Sequence, residues 1–258
     1  MKMKKLWITL LLAVTLICLT AGAAGAEGEK IGIIGAMDME VDSLKQAADI
    51  TAVTEIAGMA FCEGTLGDKK VVIVKCGIGK VNAGICAHTL ITQFGCTAVI
   101  NTGVAGSLDN RIDIGDIVVS VDAVQHDFDA TPVGYAKGEI PDIGITAFPA
   151  DESLRRAAVD AVRECAPEIQ AFEGRVCTGD QFAEEEMKDR LAGEFDGMCC
   201  DMEGAAIAQA CWLNQVPFVI IRAISDKKDG SASADYNTFA AAAAAHCAEI
   251  VRYMVERY

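Results

Sequence analysis

The strand–helix–strand pattern of this chain is clearest in residues 198–226, MCCDMEGAAIAQACWLNQVPFVIIRAISD. Residues 198–202 and 217–225 have the length and apolar content of buried strands. The alanine-rich segment between them predicts a helix that begins at Glu203. Two buried strands joined by a helix are typical of a parallel α/β sheet.

The same alternation extends through the rest of the chain. Further strands are predicted at residues 30–37, 51–58, 60–66, 69–77, 96–106, 115–124 and 172–180. Further helices are predicted at residues 40–48, 80–95, 151–165, 184–195 and from about 236 onward. Gly67-Asp68 predicts a hairpin, and prolines and glycines predict an irregular stretch over 125–149. The pattern therefore predicts an α/β protein with a mostly parallel sheet.

Composition limits the classes of protein and partner. A chain of 258 residues, 52% hydrophobic, can bury one large core, and no proline-rich or serine-rich linker divides it. We therefore predict a single domain over residues 27–258. The net charge of −15 repels polyphosphate, so nucleic acid is not an expected partner.

The N-terminus has the features of a targeting segment. Residues 1–26 combine a basic start, an apolar run and Ala24-Gly25-Ala26, which matches an A-x-A cleavage site. We predict a signal peptide cleaved before Glu27 and an exported protein, periplasmic or extracellular. The alternative is an uncleaved membrane anchor over Leu6 to Ala26, the only case in which a membrane would be a partner.

The cysteines do not form a recognisable metal-binding or redox motif. Eleven are present, scattered through apolar segments, and no C-x-x-C pair occurs. We predict small buried side chains and no metal site. Pairing of some of them in an oxidising compartment remains an open alternative.

Charged residues and glycines lie toward the ends of five of the predicted strands. The segments are Met37–Glu40, Asn101–Gly103, Thr178–Phe182, Asp201–Glu203 and Arg222–Asp226. In α/β sheets the carboxyl ends of the strands meet at one edge, and ligands bind there. The sequence therefore predicts one polar pocket at that edge.

Eight motifs carry a resemblance to a known family over residue 30 to the C-terminus. They are GIIGAMDMEVDSL, VKCGIGKVNAG, NTGVAGSL, GDIVVS, HDFDATPVGY, TGDQF, DMEGAAIA and VIIRAISDKKD. In this order they resemble bacterial 5′-methylthioadenosine/S-adenosylhomocysteine nucleosidases. The resemblance implies a three-layer α/β/α nucleoside phosphorylase/hydrolase-like fold with a mixed central sheet. It also implies a homodimer and a small-molecule adenine nucleoside as substrate.

Three acids receive roles from the resemblance. Glu40 matches the glutamate that activates the attacking water, and Glu203 the carboxylate that accepts bonds from the ribose 2′- and 3′-hydroxyls. Asp226 matches the general acid that protonates N7 of the departing adenine. No metal or cofactor is implied, because carboxylates reach the charge on both sugar and base. Helix capping is the alternative for Glu40 and Glu203, and a surface loop for Asp226.

The resemblance also assigns secondary contacts. Residues matched to the substrate pocket are Met37, Val104, Phe182, Ala183, Met202, Arg222, Ser225 and Tyr236. Val104 stands where many members of the family have a serine that helps to hold the water. The loss of one neutral hydrogen bond costs about 0.5–1.5 kcal/mol, at most roughly tenfold in rate. Val133 and Pro141 match the loop that reaches the pocket of the partner subunit.

The resemblance implies hydrolysis of 5′-methylthioadenosine and S-adenosylhomocysteine to adenine and a 5-substituted ribose. A reshaped 5′ pocket would instead select 5′-deoxyadenosine or an aminofutalosine. Two alternatives stay open: a phosphorolytic nucleoside phosphorylase, and a non-catalytic exported nucleoside-binding protein.

Overall fold

Ten strands and six helices alternate along residues 29–229 and 231–258, the part of the chain that the computed structural model describes. The strands are β1 Lys30–Gly35, β2 Asp49–Ile56, β3 Met59–Leu66, β4 Lys69–Lys75, β5 Ala98–Ser107, β6 Ile117–Gln125, β7 Ala147–Pro149, β8 Ala171–Thr178, β9 Gly197–Asp201 and β10 Phe218–Asp226. The helices are α1 Asp38–Ala47, α2 Lys80–Phe94, α3 Glu152–Cys165, α4 Glu185–Phe195, α5 Gly204–Asn214 and α6 Ala232–Arg257. A short 3-10 helix occupies Thr131–Val133.

The predicted signal segment, residues 1–26, and its alternative as an anchor lie outside the described residues. Of the six helices named above, none is long and apolar enough to cross a membrane.

The sheet is mixed, with parallel strands at its centre and hairpins at one edge. β1 lies between β4 and β5 and is parallel to both, and β10 is parallel to β5. β2, β3 and β4 form an antiparallel meander, in which Leu66 pairs with Lys69 across the hairpin predicted at Gly67-Asp68. β10 pairs antiparallel with β6, and β9 with β5. β8 is parallel to both β6 and β9, so five of the ten pairings are parallel. The expectation of a mostly parallel sheet is therefore met only in part, because alternation of elements does not show the direction in which a strand returns.

Strand β5 closes part of the sheet on itself. Its first residues, Ala98–Asn101, pair with β1, and most of its length pairs with β10. Its end, Gly106–Ser107, passes beyond β1 and pairs with β9 instead. Since β9 continues through β8 and β6 back to β10, five strands form a closed ring attached to the open part of the sheet, strands β1 to β4.

Helices cover both faces of the sheet and complete three layers. Val41 and Leu44 of α1, Leu154 of α3 and Val251 of α6 belong to the buried cluster on one face. The cluster on the other face contains the apolar side of α2 and, from α5, the buried residues Ala205 to Ala208 and Cys211. Of the ten cysteines in the described residues, nine are buried and all are free thiols, as expected for small core side chains. This arrangement confirms the predicted α/β/α fold class.

Candidate active site

Residues at the polar ends of several strands line one pocket. It opens at the carboxyl ends of β1, β5, β9 and β10 and encloses about 740 Å³, including the space at its mouth. The three predicted acids come from distant parts of the chain, yet all line it and are 2–7% exposed. The other predicted residues that line it are Met37, Val104, Phe182, Ala183, Met202, Ser225 and Tyr236. Arg222, Val133 and Pro141 are not part of its wall.

Glu40, in the first turn of α1, has a carboxylate that is held by three backbone N–H groups. Its Oε2 accepts hydrogen bonds from the N–H groups of Ala36, at 2.6 Å, and of Met37, at 2.9 Å. Its Oε1 accepts from the N–H of Val104 on β5, at 3.1 Å. Burial raises the pKa of Glu40, and the Arg222 guanidinium and these N–H groups oppose the rise. Helix capping therefore accounts for Oε2 of Glu40 only, because Oε1 reaches into the pocket.

Glycine at position 103 allows Glu40 and Arg222 to approach strand β5. A Cβ atom there would lie 2.6 Å from Glu40 Oε1 and 2.9 Å from Arg222 Nη1. Among the described residues, Nη1 of Arg222 has no hydrogen-bond partner. An acceptor and an unpaired donor thus lie beside the same point of the strand, an arrangement suited to holding a small polar molecule.

Arg222 lies behind the pocket wall and is neutralised by Asp201. Its Nε and Nη2 donate to Asp201 Oδ2, at 2.9 and 2.6 Å, and Nη2 also donates to Asn101 Oδ1, at 2.6 Å. Burial alone would lower the pKa of Arg222, but the carboxylates of Asp201 and the two pocket glutamates outweigh it, so the pKa is raised. Asp201 also accepts from the N–H of Gly204, at 3.1 Å, and therefore caps α5.

Glu203 immediately precedes α5 but makes no side-chain bond to its own helix. Its Oε1 accepts from the N–H of Gly79, at 2.9 Å, and its Oε2 lies 4.0 Å from Arg222 Nη2. Burial and the neighbouring Asp201 carboxylate raise the pKa of Glu203 to about 7, against the opposing effect of Arg222. Helix capping, the alternative role considered for this residue, is thus taken by Asp201, and Glu203 presents its carboxyl to the pocket.

Asp226 is buried and has a partner on each oxygen. Ser225 Oγ donates to Oδ1 at 2.6 Å, and Lys188 Nζ forms an ion pair with Oδ2. With 2% of its surface exposed, Asp226 is not the surface-loop residue of the alternative interpretation.

Lys188 is the functional candidate that the sequence reasoning missed. It is fully buried on α4, where the buried positions are Lys188, Leu191 and Phe195. Their spacing of three and four residues is that of an apolar helix face. A lysine at such a position was the available signal, but the acidic neighbours of Lys188 gave the segment the composition of a solvated helix.

Two aromatic rings stand at the mouth of the pocket. Phe182 and Tyr236 pack edge to face, with ring centroids 5.5 Å apart, and Phe182 is 45% exposed. The Tyr236 hydroxyl donates to Met37 Sδ at 3.4 Å, which joins α6 to the end of β1. Val133 is 75% exposed, so that within one chain its loop leaves it open to solvent.

The three-layer fold with its acid-lined pocket defines an α/β protein of the phosphorylase type. A family model described as "Phosphorylase superfamily" matches residues 30–256. A 5′-methylthioadenosine/S-adenosylhomocysteine nucleosidase of Shewanella frigidimarina is 42% identical over 230 residues, which cover 88% of this chain and 99% of that protein. The chain belongs to the phosphorylase superfamily and, within it, to the 5′-methylthioadenosine/S-adenosylhomocysteine nucleosidase family.

Solved structures agree with this assignment. The nucleosidase of Neisseria meningitidis, in complex with methylthio-immucillin-A, has a TM-score of 0.85 and 34% identity, and covers 90% of this chain and 100% of its own. The futalosine hydrolase of Helicobacter pylori has a TM-score of 0.84 and 32% identity, and covers 89% and 98%. The fold is therefore shared by enzymes that are named for different substrates.

Proposed function

We propose that this protein hydrolyses the N-glycosidic bond of 5′-methylthioadenosine and S-adenosylhomocysteine, releasing adenine and the 5-substituted ribose. The observation that carries the proposal is the convergence of Glu40, Glu203 and Asp226 on one pocket. The three acids lie far apart in the sequence, and buried acids that gather in one pocket are typical of a functional site. The names of the relatives support the same reaction and the same substrates.

Glu203 would bind the ribose. Its Oε2 makes no hydrogen bond within the described residues, and its Oε1 makes one, to Gly79. The carboxylate can therefore accept bonds from two vicinal hydroxyls, a number that matches the 2′,3′-diol. Met202, next to it in the pocket wall, supplies a polarisable thioether beside the sugar, where positive charge develops as the bond breaks.

Glu40 would accept the proton of the attacking water. Glu40 Oε1 and the unpaired Nη1 of Arg222 both lie beside Gly103, so that a water in contact with the two would have an acceptor and a donor. Water bound there would be oriented for attack on C1′ as its proton passes to Glu40. The residue at position 104 contributes its backbone N–H, which a valine provides as well as a serine does.

Asp226 would deliver a proton to the leaving base. Adenine is a poor leaving group unless N7 is protonated while the bond to C1′ breaks. Asp226 lines the pocket beside Ser225, and Phe182 at the mouth can stack on a purine ring. An aspartate can also accept from the N6 amino group, which favours adenine over a 6-oxopurine.

The 5′ substituent is set by the region around Met37 and Tyr236. Their hydrogen bond places an apolar sulfur and an aromatic ring at one end of the pocket, which suits a thioether. The alternatives of 5′-deoxyadenosine and an aminofutalosine concern this end alone and leave the three acids in the same roles.

A product assay separates hydrolysis from the two alternatives. Mature protein is given a panel of 5′-modified adenosines, with and without inorganic phosphate, and adenine and sugar products are identified. We expect equal adenine release in both conditions, because the buried Glu40 carboxylate would repel phosphate from the attacking position. Strict phosphate dependence would identify a phosphorylase, and binding without adenine release would identify a non-catalytic binder.

We further propose that the protein works as a homodimer, in which the loop with Val133 and Pro141 covers the partner's 5′ pocket. Val133 is 75% exposed in the single chain, which supports a contact that a partner subunit would complete. Val133→Asp should increase the KM for 5′-methylthioadenosine and weaken the dimer in sedimentation experiments. A monomer with full activity at assay concentration would disprove this role.

We also propose export, on the basis of the sequence of residues 1–26. Fractionation of producing cells, followed by N-terminal sequencing, tests it. A new N-terminus at Glu27 in an exported fraction is the expected result, and an intact Met1 in membranes would indicate the anchor instead.

A further inference from the structure

The ion pair between Lys188 and Asp226 leaves the proposed general acid without a proton of its own. Asp226 Oδ2 is bound by the Lys188 ammonium, and Oδ1 already accepts the hydroxyl hydrogen of Ser225. A carboxylate held in this way is an acceptor on both oxygens. The nearest transferable proton is therefore on Lys188.

The surroundings of Lys188 fix its ammonium against this one carboxylate. Lys188 is fully buried, and its Nζ has a second acceptor in the backbone carbonyl of Lys227, at 2.7 Å. On the opposite side, a Cβ atom at Gly106 would lie 2.7 Å from Asp226 Oδ2 and 2.9 Å from Lys188 Nζ. Only a glycine of β5 permits this close approach, so the pair is enclosed between β5 and the end of β10.

From this geometry we infer that Lys188 is a positioning residue that supplies, through Asp226, the proton taken by the leaving base. The inference rests on the proposed function. When the bond between C1′ and the purine nitrogen breaks, its electron pair goes to the base. A proton passes from Lys188 Nζ to the Asp226 carboxylate and from that carboxyl to N7. Asp226 is again anionic, Lys188 is a neutral amine, and solvent returns its proton after adenine leaves.

This arrangement affects the pH range of the enzyme. Because the proton comes from the pair, the pH dependence of kcat belongs to the pair and not to the Asp226 carboxyl alone. Among the described residues, Cys200 on β9 lies near both members of the pair, and Tyr236 on α6 lies near Asp226. Burial raises the pKa of Cys200 to about 12 and also raises the pKa of Tyr236. Neither therefore loses its proton in the neutral range.

Two substitutions distinguish proton supply from a purely structural ion pair. Lys188→Met leaves Asp226 as the only proton carrier, so kcat should approach the wild-type value at pH 5.5 and fall about 100-fold at pH 8. Lys188→Arg keeps the positive charge, but guanidinium does not release its proton, so kcat should be about 100-fold low at every pH. In both variants adenine affinity and thermal unfolding monitor the integrity of the pocket.

Lys228→Met is the matched control. Lys228 lies in the same loop as Lys227 and pairs with Asp189 on α4, at 2.9 Å, so its removal cancels a charge between the same two elements without touching Asp226. We expect its kcat and pH profile to equal those of the wild type.

The wild type supplies a measurement that does not depend on the variants folding. Its kcat should stay level from pH 6 to pH 8.5, because the ion pair and not a lone carboxyl supplies the proton. A kcat that already declines tenfold per pH unit between pH 6 and pH 8 would contradict the inference. So would wild-type kcat in Lys188→Arg, or an unshifted alkaline limb in Lys188→Met. If the wild type releases no adenine from 5′-methylthioadenosine at any pH, the proposed function fails instead.

Discussion

Asp201 and Glu203 are separated by one residue and have different surroundings. Asp201 is the last residue of β9, and its carboxylate is bound by Arg222 and by the N–H of Gly204. Glu203 follows where the chain turns into α5, and its carboxyl faces Gly79 and the pocket. Burial raises the pKa values of the two pocket glutamates, and the Arg222 guanidinium, which is bound by Asp201, only partly opposes the rise.

Asp226→Asn removes the proposed proton donor and keeps the shape of the site. An amide oxygen can still accept from Ser225, but it cannot transfer a proton, so kcat should fall about 10²–10⁴-fold. Adenine affinity should remain within about tenfold, since only one hydrogen bond to the ligand changes. Steady-state kinetics and calorimetric titration provide the two values.

Asp113→Asn serves as the control for that experiment. Asp113 is a surface residue that pairs with Lys227, at 2.6 Å, on the outer side of the same loop. An equal loss of turnover in both variants would mean that the loop, rather than the acid, had been damaged.

Glu203 should make nucleoside binding sensitive to pH near neutrality. Its pKa is raised to about 7, so in the free protein the carboxyl gains a proton as the pH falls below that value. A protonated carboxyl offers fewer acceptors to the ribose diol, and affinity should weaken by up to about tenfold per pH unit below 7. Calorimetric titration of a 5′-methylthioadenosine analogue between pH 5.5 and 8.5 measures this.

Glu203→Gln identifies the titrating group in that experiment. The variant should bind the analogue weakly and with the same affinity at every pH in the range. If its affinity changes with pH as that of the wild type does, another group is responsible, and Glu40, whose pKa is also raised, is the next candidate.

The secondary structure elements were largely predictable from the sequence, and their ends less so. The helix predicted over residues 151–165 is confirmed as α3, and Asp151 caps it, since its carboxylate accepts from the N–H groups of Ser153 and Leu154, at 2.9 and 3.0 Å. Helix α6 begins at Ala232 rather than near 236. Asp235 accepts from Ser231 Oγ at 2.6 Å and from the N–H of Lys227, which holds an extra turn that the apolar pattern could not reveal.

The environment of each acid was not predictable, although the acids themselves were. Motif order placed Glu40, Glu203 and Asp226 in one pocket. It could not show that Lys188 is buried beside Asp226, because that contact depends on how α4 packs against the ends of β5 and β10. Long-range pairing of this kind has no local sequence pattern.

Strand β5 should tolerate no side chain at position 103. In Gly103→Ala the added methyl would lie 2.6 Å from Glu40 Oε1, so the carboxylate must move away from its position beside Arg222. A displacement of about 1 Å in a catalytic group lowers turnover about 10²-fold. Turnover of 5′-methylthioadenosine, measured together with circular dichroism of the variant, tests this.

Gly193→Ala is the corresponding control on an open surface. Gly193 lies in α4 with no heavy atom within 4 Å of an added Cβ. Alanine should raise the free energy of unfolding by about 0.5–1 kcal/mol and leave kcat unchanged. Loss of turnover in this variant would show that glycine replacement is harmful in general here.

The pocket draws on the whole length of the described chain. Met37 follows the first strand and Tyr236 belongs to the last helix, and they are joined by the hydrogen bond between hydroxyl and sulfur. A ligand bound between them stabilises elements from both ends of the sequence. Binding should therefore be visible as a change in global stability.

Residues 27–258 should unfold in one cooperative transition that shifts upward with ligand. At an adenine concentration of 100 times Kd, the native state gains about 2.7 kcal/mol, or roughly 5–10 °C in Tm for a protein of this size. Differential scanning calorimetry measures both features. Hypoxanthine, the 6-oxopurine base, should give no comparable shift, and two separate transitions would contradict a single domain.

Strand β5 contributes to two structures that must both form before the acids meet. Through β1 it positions Glu40, and through β10 and β9 it positions Asp226 and the segment that leads into Glu203. During refolding, adenine release can appear only after the open part of the sheet, strands β1 to β4, has joined the ring of five strands. The time at which catalysis recovers would thus report the last assembly step. It should come after the recovery of the helical signal.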